Sequence, residues 1–540
     1  MCGCDRTRQR IAVRQNSTFV TSGLIGGERP RFVIHPLLLA GAYVLNQGLS
    51  TEAEVAGLVR PLVVAALLAI ALTLVGWAAF RNRWDGGLLA TIVSLMVVAP
   101  LPAYKAWLGF GPTIGLVIAA VALGMLLGIL AVVALRVRRQ KGRVPRPSAG
   151  ALNAFAAVLF VVVVLSNTAS HIPRAIAQAT TYAPTIVVKP TSRTSPDIVV
   201  ILLDGYPRAD VLERRLGVDN ADFLQRLRDR GFDVAAHSHS NYVFTALTLA
   251  SMFQMRHIDE IDDLRPLVGT GLPYHDALRD AATSGLAFTA LRSAGYEIVT
   301  SPPGWEHVTL AAAADRVLDD GQFTDLELSI LKQTWLLDLL TLVTPDAVTG
   351  QLRDRLVHAF DHLDAFAKER RDRPAFLFVH VPGPHLPLLV DADGNALPIS
   401  ARALGASDPE RMHLTRAQYA ARWADELRYL ETRVLRAIDA LQAADQPPVI
   451  VLMADHGYTQ EIRVDDLQSR FANLFAASTP GAAGLLGEGT TPVNLMPRLL
   501  NAYLSTDFPS SANRYFLSPG PSEPLMLTEV SDPDAAPTSP

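Results

Sequence analysis

Three short apolar runs in this sequence end on residues able to hold a metal ion. IVVILLDG (198–205) ends at Asp204, AFLFVHVPG (375–383) carries His380 with His385 five residues on, and PVIVLMADHG (448–457) ends at Asp455 and His456. An Asp after a strand is commonly a turn residue or a helix N-cap, and any one of these alone supports that plain reading. Three runs ending in Asp, His and Asp-His, with no Lys or Arg in the same positions, point instead to a shared site. Mixed imidazole and carboxylate donors suit a divalent metal, zinc or manganese before calcium or magnesium.

Such a site needs a group that attacks. HSHSNYVFTALTLASMFQM (237–255) passes from polar residues into an apolar helical run near Thr245. A hydroxyl at a helix start lies among free backbone N–H groups at the positive end of the dipole, a place that favours phosphate or sulfate. Metal coordination would lower its pKa and make it a nucleophile at neutral pH. Thr is equally a favoured N-cap, and spacing alone leaves both readings open. The two cysteines, Cys2 and Cys4, lie at the extreme N-terminus. The last two-thirds therefore has no Cys nucleophile and no disulfide framework.

The elements that must position these residues follow from the pattern around them. The three runs are β-branched-rich and ended by Gly or Pro, which fits strands buried on both faces of a mainly parallel sheet. Helical periodicity marks 221–230, 283–294 and 416–442 between them. Strand-then-helix alternation predicts one large α/β domain over 197–518, with helices flanking the sheet. In such sheets ligands bind beyond the carboxyl ends of the strands, where Asp204, His380 and Asp455–His456 fall. Gly457 is expected to give the chain freedom to turn away after His456. A linker is expected over 169–196, rich in Pro, Thr and Ser in its second half. The Pro-rich, acidic segment 519–540 is expected to be a disordered tail.

The 540 residues are 49% hydrophobic and 19% charged, and almost all of the apolar excess precedes residue 170. A net charge of −4 gives no global sign of nucleic-acid binding. A bilayer span needs ~20 mainly apolar residues. Segments 62–80, 86–108, 112–135 and 150–168 meet or approach that, and 32–47 is shorter, so 32–168 is expected to be a membrane domain of about five helices. Residues 1–31 carry several arginines and no early apolar core, which argues for a cytoplasmic N-terminus rather than a cleaved signal peptide. Basic loops (Arg81 and Arg83; Arg136 to Arg146) alternate with non-basic ones. Five spans in that arrangement make a multi-pass protein of the cell membrane and put everything after residue 170 on the extracytoplasmic side. The spans hold no Asp or Glu, so an anchor is expected rather than a transporter.

In order along the chain, PDIVVILLDGY, NYVFTALTLAS, FVHVPGPHLPLLVDADGN, WADELRYLETRVLRAID and VIVLMADHG resemble the alkaline-phosphatase superfamily. The resemblance is narrower to its membrane-anchored, sulfatase-like branch, which includes lipoteichoic acid synthases and phosphoethanolamine transferases. It implies an enzyme whose metal is held by Asp204, Thr245, Asp455 and His456, with Thr245 also the nucleophile. His385, in the PH-x-P element, would bind the substrate anion or protonate the leaving group. His380 would be a second substrate-binding residue or a ligand of a second metal. The implied function is transfer of a phospho-head-group from a phospholipid donor to an envelope glycan or glycolipid acceptor, through a phospho-threonine. A phosphodiesterase, phosphatase or sulfuric-ester hydrolase of the same fold is the alternative within the class, and a catalytically silent membrane receptor or scaffold the alternative outside it.

The chain departs from that branch in three places. A formylglycine sulfatase needs Cys or Ser in a C/S-x-P/A-x-R context, and Ser407 in SDPER fits the letters but falls after the PH element. Lipoteichoic acid synthases carry Glu where this chain has Asp204. No motif identifies the His and Arg used between nucleophile and PH element, although His275, Arg279 and His307 lie in that interval.

Overall fold

The computed structural model describes residues 32–51, 55–81, 83–98, 149–180, 195–271, 274–334, 336–344, 346–397, 414–459, 467–531 and 533–534. The chain divides into two units, Met1–Asn46 with Val59–His171, and Gln47–Leu58 with Ile172–Pro540.

The helices in and around the first unit are His35–Thr51, Val55–Phe80, Arg83–Val98 and Ala149–Thr180. Among the described residues one helix is long and apolar enough to cross a membrane, Gly57–Phe80, and Gly150–Ser166 is a shorter apolar helix. Leu67, Leu74 and Trp77 on the long helix are exposed, as side chains facing lipid would be. Asn153 closes the start of the first helix. Its Oδ1 accepts from Ile34 N and His35 N at 3.2 and 3.1 Å, and its Nδ2 donates to Phe32 O. Without such a partner those first N–H groups would be unsatisfied in an apolar medium. The expected spans 32–47, 62–80 and 150–168 fall on helices. Most of 86–108 does too, but its last part, all of 112–135, Lys105 and the basic loop 136–146 lie outside the described residues. So do Cys2, Cys4 and Ser407. The helix from Ala149 runs on to Thr180, past the expected linker boundary at 169.

The second unit is built on a seven-stranded sheet. Its strands are β1 (Ile198–Leu203), β2 (Asp233–Val234), β3 (Glu297–Ser301), β4 (Arg316–Val317), β5 (Ala375–Val381), β6 (Val449–Met453) and β7 (Phe475–Ser478), in the spatial order β2-β7-β6-β1-β5-β3-β4. The pairings β6/β1, β1/β5, β5/β3 and β3/β4 are parallel, while β7 is antiparallel to both β6 and β2. The sheet is thus mainly parallel with one reversed strand near its edge.

Every residue of β1 is fully buried, and alternate residues feed two cores. Ile198, Val200 and Leu202 pack with helices Thr245–Gln254 and Pro492–Leu504; Val199, Ile201 and Leu203 pack with helices Thr349–Lys368 and Arg416–Gln442. Burial on both faces is why these strands read as unbroken apolar runs. Helix Arg416–Gln442 begins at a capping box in which Thr415 Oγ1 accepts from Gln418 N while Gln418 Oε1 accepts from Thr415 N, satisfying two N–H groups reciprocally.

Two expectations are corrected. The helix expected over 283–294 is present but shorter, Leu286–Ser293, and a separate helix, His275–Thr283, ends where it was expected to begin. They break at Gly285, where an added Cβ would lie 2.5 Å from Phe253 O, so the approach of the neighbouring helix dictates the interruption. The stretch 519–540 is not wholly a disordered tail. Thr528–Val530 forms β9 and pairs antiparallel with β8 (Tyr515–Leu517), and Asp534 makes ion pairs with Arg208 and His239.

Candidate metal centre

The three strands that end in polar residues are neighbours at the centre of the sheet. In register, Leu202 of β1 stands beside His380 of β5 and Met453 of β6. Asp204 N donates to Val381 O at 3.1 Å, which carries the ladder one residue past the strand and fixes the exit of β1. Asp455 and His456 leave β6 on its other side. Residues far apart in the chain therefore arrive at one end of the sheet, all of them buried.

Their hydrogen bonds leave a specific remainder. Asp455 Oδ1 accepts from Gly205 N at 2.9 Å, and Asp204 Oδ2 accepts from His380 Nε2 at 3.0 Å. Asp455 Oδ2 and Asp204 Oδ1 are buried with no hydrogen-bond partner. His456 donates Nδ1–H to Gly457 O at 2.8 Å, which sets its tautomer and turns the Nε2 lone pair inward. That nitrogen lies 3.4 Å from Asp455 Oδ2 and 3.8 Å from Asp204 Oδ1. One ligand atom from each of Asp204, Asp455 and His456 falls within 4.8 Å of the others. Orphaned buried carboxylate oxygens are costly, and two of them aimed at one imidazole nitrogen fit a divalent cation of the zinc or manganese type.

The electrostatics agree. Burial pushes the Asp204 carboxyl up, but His385, His380 and His456 together hold it well below the usual carboxylate range. Burial pushes His456 down, and Asp455, Asp204 and the Gly457 carbonyl more than reverse it. Positive charge is what this pocket favours.

Thr245 is the first residue of helix Thr245–Gln254, and Phe244 occupies the N-cap position. The plain N-cap reading of Thr245 is thereby set aside. Its hydroxyl stands at the first helical position, where backbone N–H groups lack intrahelical acceptors. One turn along, Thr248 Oγ1 donates to Asp455 O at 3.0 Å, which ties this helix start to the exit of β6.

His380 was read as a second substrate-binding residue or a ligand of a second metal. It is 1% exposed and directs Nε2 to Asp204, while its Nδ1 is buried with no hydrogen-bond partner. His385, half-buried, donates Nδ1–H to Leu386 O at 2.8 Å and keeps Nε2 free of that bond. Trp305 places its ring 5.2 Å from that of His385 and 6.3 Å from that of His380.

His307 is the residue that sequence reasoning left unplaced. Burial lowers its pKa to about 4, with His275, His380 and His385 adding to the effect and Asp204 opposing it. Its ring lies 5.4 Å from His275, and Arg279 Nη1 donates to Glu306 O at 3.5 Å. His275, Arg279 and His307 thus gather beside the centre, and only their interval in the sequence hinted at it.

Gly457 is needed for a different reason than turning freedom. An added Cβ would lie 2.3 Å from Ser469 O and 2.5 Å from Ala472 O. Close backbone approach excludes any side chain there.

Behind the His385 segment sits Glu426, fully buried, whose carboxyl is pushed up to about 8 by burial despite hydrogen bonds from Leu389 N and Val390 N. For an acid raised in the folded state, the native protein binds more protons than the unfolded chain between about pH 4.5 and 8, so stability falls as pH rises through that window. Glu426→Gln is expected to flatten this slope, worth on the order of a few kcal/mol across the window. Thermal or denaturant melts from pH 5 to 8.5 test it, and an unchanged slope would refute it.

No family model matches the chain, and no curated protein matches it. Solved structures do. The integral membrane protein lipooligosaccharide phosphoethanolamine transferase A (EptA) from Neisseria meningitidis is 15% identical, covering 88% of this chain and 84% of its own, with a TM-score of 0.39. The C-terminal periplasmic domain of EcEptC from Escherichia coli, a complex with Zn, is 10% identical over 66% of this chain and 96% of its own, with a TM-score of 0.41. BT1596, a 2-O GAG sulfatase, is 13% identical over 59% and 72%, with a TM-score of 0.38.

Proposed function

We propose that this chain is a membrane-anchored, metal-dependent transferase that moves a phospho-head-group from a glycerophospholipid to a hydroxyl of an envelope glycan or glycolipid. The observation that carries the reading is the pair of orphaned carboxylate oxygens, Asp204 Oδ1 and Asp455 Oδ2, aimed at His456 Nε2 at the carboxyl end of the sheet. Asp204, Asp455 and His456 would hold a zinc or manganese ion, with Thr245 as a further ligand. When bound, the ion supplies Lewis acidity, favouring an ionised hydroxyl and neutralising phosphoryl oxygens.

The chain's own groups do the rest. Thr245 Oγ, its proton lost to solvent, attacks phosphorus; the Oγ–P bond forms as the bond from phosphorus to the lipid oxygen breaks. In its imidazolium form His385 protonates the departing diacylglycerol alkoxide through Nε2–H and keeps Nδ1–H on Leu386 O. The acceptor hydroxyl then displaces Thr245, giving up its proton to the same imidazole. His380 keeps Asp204 oriented through Oδ2, and the start of helix Thr245–Gln254 offers backbone N–H groups to the transferring oxygens. The long apolar helix Gly57–Phe80 supports a donor that is itself a membrane lipid.

The test is release of diacylglycerol from mixed micelles of glycerophospholipids by the full chain in detergent. Release should stop with chelator and return with zinc or manganese. Absence of diacylglycerol release from every glycerophospholipid, by protein with bound metal, would overturn the lipid-donor reading.

A further inference from the structure

We propose that Glu426 is a positioning residue for His385, fastening the closing end of the segment Gly383–Val390 from inside the domain. The inference rests on the role given to His385 above. Glu426 projects from helix Arg416–Gln442 and is fully buried. Its Oε2 accepts from Leu389 N and, at 3.2 Å, from Val390 N, the residues that close the segment. Its Oε1 lies where a Cβ on Gly383, the residue that opens the segment, would stand 3.3 Å away. The carboxyl therefore holds the return of the chain after His385 through Oε2, while Oε1 is buried beside Gly383 with no hydrogen-bond partner.

His385 itself has little fastening of its own. Its hydrogen bond goes to Leu386 within the same segment, so it does not fix the segment to the body of the domain. Trp305 lies against one side of the ring. The orientation of His385 thus depends on what holds 383–390, and Leu388 and Val390 are buried while His385 reaches partway to solvent. A buried acid costs more than an apolar side chain of like size. What it contributes here is an acceptor for two inward-pointing N–H groups, which would otherwise be orphaned.

The experiment compares the full chain in detergent with Glu426→Gln, which keeps the acceptor oxygen, and Glu426→Met, which keeps the volume without one. Three quantities are read: metal content, the rate of His385 carbethoxylation by diethyl pyrocarbonate followed by peptide mass spectrometry, and kcat and KM for diacylglycerol release. Glu426→Gln should stay within about twofold of wild type on all three. Glu426→Met should keep its metal, react at His385 several-fold faster, and lose about tenfold or more in kcat with a smaller change in KM. Unchanged carbethoxylation in a folded, metal-loaded Glu426→Met protein would overturn the proposal. Altered carbethoxylation with no lipid turnover even in wild type would leave Glu426 positioning His385 and remove the catalytic reading instead. Should Glu426→Met fail to fold, amide exchange in wild type decides: Leu389 and Val390 should be among the slowest amides of the segment, and rapid exchange at both would refute the tether.

Discussion

Thr245→Ala should lower the rate of head-group transfer by about a thousandfold or more while leaving the thermal stability of the metal-free protein near wild type. The expectation combines two structural facts. Thr245 is not the N-cap of its helix, because Phe244 holds that position, so losing the hydroxyl forfeits no capping bond. The helix start remains tied to the exit of β6 by Thr248 and Asp455 O. A residue that contributes little to the fold yet abolishes turnover is acting on the reaction. Mass spectrometry of wild type incubated with lipid donor and no acceptor should find the phospho-head-group on the peptide carrying Thr245. A Thr245→Ala protein that keeps its rate within tenfold would end the nucleophile assignment.

Asp455→Asn should separate stability from function in the opposite manner. With no metal bound, wild type carries two buried, unpartnered carboxylate oxygens, Asp204 Oδ1 and Asp455 Oδ2. The amide retains an acceptor for Gly205 N and replaces the second oxygen with a donor beside Asp204. The metal-free variant should therefore be at least as stable as metal-free wild type. Zinc or manganese should raise the melting temperature of wild type, since a ligand at a thousand times its Kd contributes about 4 kcal/mol. It should leave Asp455→Asn unmoved, and activity should vanish with the shift. Scanning calorimetry with and without metal measures both, and equal stabilisation of the variant by metal would remove Asp455 from the coordination shell.

The strands that carry the site were legible because they lie at the centre of the sheet. Burial on both faces makes β1, β5 and β6 unbroken apolar runs, and their ends stand out as abrupt polarity. The edge was not legible. β2 and β4 are two residues each, and β7, FAAS, is too short and too weakly β-branched to separate from a helix fragment. Helix Arg416–Gln442 was readable from its periodicity, and its start is a capping box. His307 was not, because it sits in a short 3-10 turn, Glu306–Val308, whose place depends on tertiary packing rather than on any local pattern. His380 was placed at the end of its strand, and its neighbour there is Asp204. Nothing in a strand sequence says whether a terminal imidazole meets substrate or the carboxylate of the next strand.

The adjacency of β5, β1 and β6 has a consequence for how the protein comes into being. Asp204 pairs with His380 across 176 positions, and Gly205 with Asp455 across 250. Contacts of such separation form late, because long loops must close before they are rewarded. β6 is also among the last strands to be synthesised. No early folding intermediate of this chain can own the ion site, so metal capture marks the end of folding rather than its start. A chain truncated before β6 would be blind to metal, and tight binding would certify that the central sheet is complete.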